Sequence, residues 1–385
     1  MKENNNMQYF KFGKQDFNVS RFGMGCMRLP SKKVNDSDDK TKIEEDESIK
    51  MIRYAIDHGV NYFDTAYGYG DSELVVGKAL GEGYREKVKL ATKLPSWAIK
   101  SYGDFNRYLD EQLKRLQVEY IDIYLLHAMR QAYWDNYKKL DVFKFLDEAK
   151  KQGKIVCAGF SFHDQLALFK EIVDSYNWDM CQIQLNYLDE HMQAGLEGLH
   201  YSASKGLPVV IMEPLKGGSL VNNLPDGVTE LLRVDGNGIN PVRLALRYLC
   251  SLPEAAVILS GVSSMEQLKE DIKIFNSMSS GPLNDKELML VNRVRDLIKS
   301  KIVIECTGCG YCMPCPSGVA IPDLFKLYND VYMFNQPEES KIFYDVFADG
   351  KKDASQCTEC GHCEEKCPQK LEIIKGLKDV HKLLG

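Results

Sequence analysis

What this 385-residue sequence lacks narrows its function before any motif is weighed. No stretch approaches the roughly 18 consecutive apolar residues of a membrane span, and the opening "MKENNNMQYF" has none of the apolar core of a signal peptide. A cytoplasmic protein without a membrane partner is therefore expected. Basic residues are not in excess, since 49 Lys and Arg stand against 55 Asp and Glu for a net charge of −6, and that balance predicts no nucleic-acid partner. The pattern GxGxxG occurs nowhere, so a Rossmann cofactor fold loses its best marker. A reducing compartment also keeps thiols free, which turns clustered cysteines toward metal or redox chemistry and away from disulfides.

Apolar residues, at 44% of the chain, suffice for a large core, and the length suits two or three domains or one large barrel with a small module. From about residue 21, short apolar runs alternate with stretches of helical period, as in βα units around a parallel sheet. Eight runs occur: "RFGMGC" (21–26), "VNYFDT" (60–65), "KVKLATK" (87–93), "YIDIYLLH" (120–127), "KIVCAGFS" (154–161), "MCQIQLN" (180–186), "LPVVIME" (207–213) and "AAVILSG" (255–261). Between them lie amphipathic stretches such as 46–59, 102–117 and 136–153. This predicts an α/β fold, a (β/α)₈ TIM barrel spanning 1–299, with a hairpin at 9–20 plugging its floor. The acidic stretch 35–48 reads as a solvated loop running into a helix cap, 279–284 as a loop and 285–301 as a helix. A second domain is expected over 300–385.

Barrel chemistry sits at the C-terminal ends of strands. Those ends carry Asp64, Lys93, His127, Ser161 and Gln182 or Gln184. Tyr69, on the loop after the second strand, can reach the same mouth. A phenol is a weak acid with a pKa of about 10. A neighbouring Lys93 ammonium is expected to lower that value, with Asp64 holding the ammonium in place. His127 would then orient a carbonyl oxygen and leave its carbon open to hydride.

These residues resemble the aldo-keto reductase family over about 10–280. The blocks that carry the likeness are "FGKQDFNVSRFGMGCMRL", "NYFDTAYGYGDSELVVGKAL", "LATKLP", "IDIYLLH", "GFSFH", "QIQLNY", "EPLKGG" and "SGVSSMEQLKED". The resemblance implies a catalytic tetrad of Asp64, Tyr69, Lys93 and His127, with Tyr69 as general acid, and an NADP or NAD lying across the mouth. It implies that Ser161 and Gln182 hold the carboxamide, that Pro214, Leu215 and Gly217 cover the pyrophosphate, and that Gly261, Ser263, Gln267 and Glu270 hold the adenosine end. The substrate class it implies is a small aldehyde or ketone. Three positions depart from the family pattern: Phe162 stands where an Asn is frequent, Met212 where an aromatic stacks, and Gln267 where an Arg grips a 2′-phosphate. Tyr67 competes with Tyr69 for the acid role, and the spacing from Asp64 favours Tyr69. His58 and His163 read as structural, and Cys26, Cys157, Cys181 and Cys250 as buried small apolar residues.

The remaining cysteines form two near-repeats, "CTGCGYCMPCP" (306–316) and "CTECGHCEEKCP" (357–368). The second has the C-x₂-C-x₂-C-x₃-C-P spacing of a [4Fe–4S] site, and the first is one residue short before its last cysteine. In two-cluster ferredoxins the fourth cysteine of each run serves the other cluster. That would group Cys306, Cys309 and Cys312 with Cys367, and Cys357, Cys360 and Cys363 with Cys315. Paired C-x₂-C knuckles also suit zinc. The segment 321–354 has helical character, so a mainly helical ferredoxin-like domain with two [4Fe–4S] clusters is expected, closed by a helix over 371–385.

Nicotinamides transfer two electrons as hydride, whereas clusters pass them singly. Three readings stay open: an NAD(P)H-dependent carbonyl reductase whose clusters serve electron transfer, partner coupling or structure, a flavin- or ferredoxin-coupled reductase, and a redox-sensing electron-transfer protein. A redox partner such as a ferredoxin belongs to the first two.

Overall fold

The computed structural model describes residues 6–33, 41–278 and 281–385. Residues 35–40 of the acidic stretch and 279–280 of the later loop lie outside the described residues. The chain divides into two compact units, one running to Pro214 and resuming over Ala245–Leu283, the other Leu215–Leu244 with Asn284–Gly385. None of the described helices is long and apolar enough to cross a membrane.

In the first unit all eight expected strands form: β1 Phe22–Gly25, β2 Tyr62–Asp64, β3 Lys89–Leu94, β4 Ile121–Met129, β5 Ile155–Phe162, β6 Met180–Gln184, β7 Val209–Met212 and β8 Ala255–Gly261. They pair in parallel and in chain order, and β8 closes onto β1 with Ile258 opposite Phe22. Strands covered on both faces read as continuous apolar runs, which is why they stood out against the helical-period stretches between them. Tyr62, Ala91, Ile123, Leu125, Cys157, Met180, Val210 and Val257 fill the interior. Gly23 leaves room there, because a Cβ would come within 2.6 Å of Val257 Cγ1.

The hairpin also forms, as antiparallel strands Tyr9–Lys11 and Asn18–Ser20. It delivers Phe12 and Val19 into the same interior cluster. Phe12 is fully buried, its ring centroid 5.6 Å from Phe17 and 6.2 Å from Tyr62. Gln15 Nε2 donates to Asp179 Oδ1 just ahead of β6 (2.9 Å), so the plug sits at the N-terminal end of the strands and leaves the opposite mouth open.

Helices cover the sheet where expected, with one correction. The stretch 136–153 is two helices, Gln131–Lys139 and Val142–Lys151, because Asp141 takes a left-handed conformation at φ +57 and breaks the hydrogen-bond ladder. The helix Tyr102–Leu116 starts at a capping box of Ser101 and Asp104, which satisfies amides that a helix start leaves open.

The second unit is helical. Asp285–Lys299 starts from a capping box of Asn284 and Glu287, and Ile321–Phe334, Pro337–Asp349 and Ile373–Leu384 follow. Ile321, Leu324, Phe325, Tyr344, Leu377 and Val380 make its core. The two cysteine runs lie against that core, the first as a loop and the second as a loop that enters the short helix His362–Lys366.

Candidate active site and cysteine loops

The C-terminal ends of β2, β3 and β4 bring Asp64, Lys93 and His127 to one mouth, and Tyr69 reaches it from the loop after β2. Lys93 Nζ donates to Asp64 Oδ1 (2.6 Å), to the Thr65 carbonyl (2.9 Å) and to the Tyr69 hydroxyl (3.2 Å). Tyr67, the alternative phenol, donates instead to Glu111 Oε1 (3.1 Å). The Tyr69 and His127 rings meet edge-on with centroids 5.8 Å apart.

Burial dominates the electrostatics of this group. It raises the Asp64 carboxyl against the opposing pull of Lys93. Burial pulls the Lys93 ammonium down, but Asp64 and Tyr69 outweigh it and leave the pKa above the ordinary lysine value. His127 is pushed down to about 2, by burial first and by the Lys93 charge second, so its imidazole stays neutral. For Tyr69 the outcome reverses the expectation from sequence: Lys93 does lower the phenol, yet burial raises it more, and Asp64 and Glu213 add to the rise. A single neighbouring cation does not offset the loss of water around the hydroxyl.

Two residues that sequence reading did not single out complete the mouth. Trp97 lies 5.3 Å from His127 between ring centroids and packs on Gly68, where a Cβ would approach the indole to 2.8 Å. Ser96 donates to the His127 carbonyl (2.5 Å) and accepts from Tyr137 (2.7 Å). The short "PSWA" turn after β3 was their only signal. A buried carboxylate, Glu73, ties the pieces together from behind. It accepts from Thr92 and Gln112 (2.7 Å each) and from Arg115 (2.8 Å), while Gln112 also holds the Lys93 carbonyl (3.0 Å).

The cofactor candidates divide. Ser161 and Gln182 are register partners on β5 and β6. Gln182 Oε1 is buried with no partner among the described residues, whereas Gln184 is engaged by Gln193 (3.3 Å). Met212 turns toward the same place, its Sδ 3.6 Å from Gln182 Nε2. Phe162 points away and packs its ring on Phe169 (5.1 Å). Gly261 ends β8, and Ser263 and Gln267 bond each other at the start of the helix Met265–Asn276 (2.9 Å), which also carries Glu270. Pro214 closes the first unit's long segment, while Leu215 and Gly217 belong to the second unit. His58 binds the Tyr54 carbonyl (2.7 Å), and Cys26, Cys157, Cys181 and Cys250 are buried.

In the second unit Cys306, Cys309, Cys312 and Cys367 line one cavity, walled by Ile321, Phe325 and Ile373. Among the described residues no three His, Cys, Asp or Glu side chains converge tightly enough for a single metal ion. Thiols spread around a cavity suit a cubane, whose irons occupy separate corners, better than one tetrahedral zinc. Gly308 and Gly310 take φ of +68 and +76, which lets the loop curl. Ser317, two residues past Cys315, meets Thr358, next to Cys357, at 2.9 Å. That contact draws Cys315 toward the other run.

Residues 21–295 match the family model described as Aldo/keto reductase family, about seven-tenths of the chain. The chain belongs to the aldo/keto reductase family. Residues 305–372 of this aldo/keto reductase match a second model, the 4Fe-4S dicluster domain, and so carry an iron–sulfur module. It is 41% identical to a probable aldo-keto reductase of Glycine max, over 40% of this chain and 45% of that one. It is 26% identical to the NADH-specific methylglyoxal reductase of Escherichia coli over 70% of this chain and 94% of that one. Its structure resembles the holo form of an aldo-keto reductase from Bacillus halodurans, with a TM-score of 0.61, 26% identity, and coverage of 75% of this chain and 96% of that one.

Proposed function

We propose that the barrel reduces an aldehyde or ketone to an alcohol with hydride from NADH or NADPH, and that Tyr69 supplies the proton. The observation that carries this reading is the contact of Lys93 with the Tyr69 hydroxyl inside a mouth where the other candidate acid, His127, is neutral. A neutral imidazole can donate a hydrogen bond and orient a carbonyl, but it has no readily lost proton near neutral pH. Tyr69, kept protonated by burial and held against the Lys93 ammonium that would take up the charge left behind, is the remaining donor. As the carbonyl oxygen gains charge, Tyr69 delivers its proton there and Lys93 stabilises the phenolate left behind. Asp64 compensates Lys93 throughout.

The residues present suit a nicotinamide. The unpartnered Gln182 Oε1 would accept from an amide NH₂, and Ser161, whose oxygen already accepts from Ala128 N (2.8 Å), would have its hydroxyl hydrogen left for an amide oxygen. Such a cofactor supplies the hydride when bound. The Escherichia coli relative's name, with its aldehyde- and ketone-bearing substrate and NADH, is consistent with this assignment and favours NADH as the first cofactor to try.

We also propose that Cys306, Cys309, Cys312 and Cys367 hold one [4Fe–4S] cluster and Cys315, Cys357, Cys360 and Cys363 the other. Clusters exchange single electrons, so hydride-dependent turnover is expected to proceed whether or not they are reduced.

The test is cofactor oxidation by anaerobically purified protein against a panel of small aldehydes and ketones, using 4-deuterated NADH and NADPH. Deuterium recovered on the alcohol carbon supports the reading. A cluster-loaded protein that binds neither nucleotide overturns it.

A further inference from the structure

At the barrel mouth β4 and β5 slip out of register. Leu126 pairs with Phe160, but Met129 pairs with Phe162, so β4 carries one extra residue between them. Such a bulge re-aims a side chain, and here the residue it re-aims is His127. Ala128, the next residue, sits at φ +51, which a residue with a Cβ holds only when its surroundings impose it.

The surroundings do so through one peptide group. The bond joining His127 to Ala128 presents the His127 carbonyl on one side and the Ala128 amide on the other. Ser96 Oγ donates to the carbonyl (2.5 Å), and the Ala128 amide donates to Ser161 Oγ (2.8 Å). Tyr137 in turn donates to Ser96 Oγ (2.7 Å), which fixes the direction of the serine's own hydrogen. Ser96, Tyr137 and Ser161 are all buried, at 2%, 0% and 1% exposure, so water does not compete for these bonds. The imidazole has no comparable anchor of its own. His127 Nδ1 is buried without a partner among the described residues, and only the Trp97 and Tyr69 rings flank it.

We infer that Ser96, Tyr137 and Ser161 are positioning residues which clamp the His127–Ala128 peptide plane and thereby aim the imidazole at the substrate carbonyl. The inference rests on the reductase reading for its consequence in turnover, though not for the clamp itself. Ser161 then has two duties, its oxygen serving the bulge and its hydrogen left for a cofactor amide. Ser96 and Tyr137 have only the first, so they isolate the effect.

The experiment is a double-mutant cycle of Ser96→Ala with His127→Ala, with Ser96→Thr as the conservative variant and Tyr137→Phe as the outer one. A misaimed group costs about tenfold to a hundredfold in rate. Ser96→Ala should lose that much in kcat while the dissociation constant for NADH, read by protein fluorescence, stays within about twofold. Ser96→Thr should restore it, and Tyr137→Phe should lie between. On the His127→Ala background Ser96→Ala should have no further effect, since there is no imidazole left to aim. Equal losses on both backgrounds, or no loss in the parent, overturn the clamp.

Imidazole resonances of ¹⁵N-histidine-labelled protein give the second readout. They should move in Ser96→Ala and return in Ser96→Thr. If His127→Ala leaves turnover unchanged, the reductase role of His127 fails, and the resonances alone decide the clamp: unmoved signals reject it.

Discussion

Lys93 donates to the Tyr69 hydroxyl over 3.2 Å, yet Tyr69 titrates above an ordinary phenol, because burial outweighs the ammonium. The sign matters for reduction, which needs the phenol protonated. A raised value extends the protonated form to higher pH, and His127, pushed down to about 2, contributes no ionisation in the working range. The rate of carbonyl reduction should therefore be flat between about pH 5 and 9, with no inflection near the usual histidine value of about 6.5. Tyr69→Phe should lower kcat by about 10² to 10⁴ with nucleotide binding intact. An inflection near the histidine value that His127→Ala abolishes would contradict this assignment.

The Asp64–Lys93 pair is almost wholly dehydrated, with side-chain exposures of 4% and 1%. Removing one partner leaves a buried charge with nothing to balance it. Lys93→Met should lower stability by about 3–5 kcal/mol in urea unfolding. The double variant Asp64→Asn, Lys93→Met should recover part of the loss, and a double variant less stable than the single one would refute the coupling.

The fold and the polar side chains at the mouth were legible in sequence for a physical reason. Strands buried on both faces must be apolar throughout, so the eight runs stood out, and the polar residues that end them, Asp64, Lys93 and His127, stood out by contrast. What escaped was set by tertiary geometry. Trp97 and Ser96 sit in a turn without periodicity, and Tyr137 looks like any aromatic on a helix face. The break at Asp141 depends on a single positive φ within an otherwise helical pattern. The rise in the Tyr69 pKa needed the depth of burial, which spacing does not encode.

Asp271 offers a stability test away from the catalytic group. It is 4% exposed on the helix that follows β8, and burial raises its carboxyl to about 7, opposed by the Ser260 hydroxyl and assisted by Glu270. A folded state with the higher pKa binds the proton more tightly than the unfolded chain. The stabilisation is fully present below the unfolded value of about 3.9 and fades as pH rises toward about 7. Relative to Asp271→Asn, the cofactor-free parent should lose on the order of a few kcal/mol across that window and remain constant above it. Urea midpoints taken across the window check this, and parallel curves for the two proteins would reject it.

The cysteine loops make the sharpest separate prediction, because two groupings of the same eight thiols are possible. Either each run holds its own cluster, or the runs exchange their fourth cysteines. Cys367 lines the cavity of Cys306, Cys309 and Cys312, although it lies 55 positions beyond the last of these, and the Ser317–Thr358 bond draws Cys315 toward Cys357. Exchange is therefore the expected arrangement. Each of Cys367→Ser and Cys315→Ser should cost or perturb one cluster, so that up to about four of about eight irons are lost. The two variants should do so in opposite halves of the module. In electron paramagnetic resonance of the dithionite-reduced protein, Cys367→Ser should alter the same signal as Cys306→Ser. Cys315→Ser should alter the signal that Cys360→Ser alters. If Cys367→Ser instead changes the Cys360→Ser signal, each run holds its own cluster, and the shortened gap before Cys315 needs another explanation.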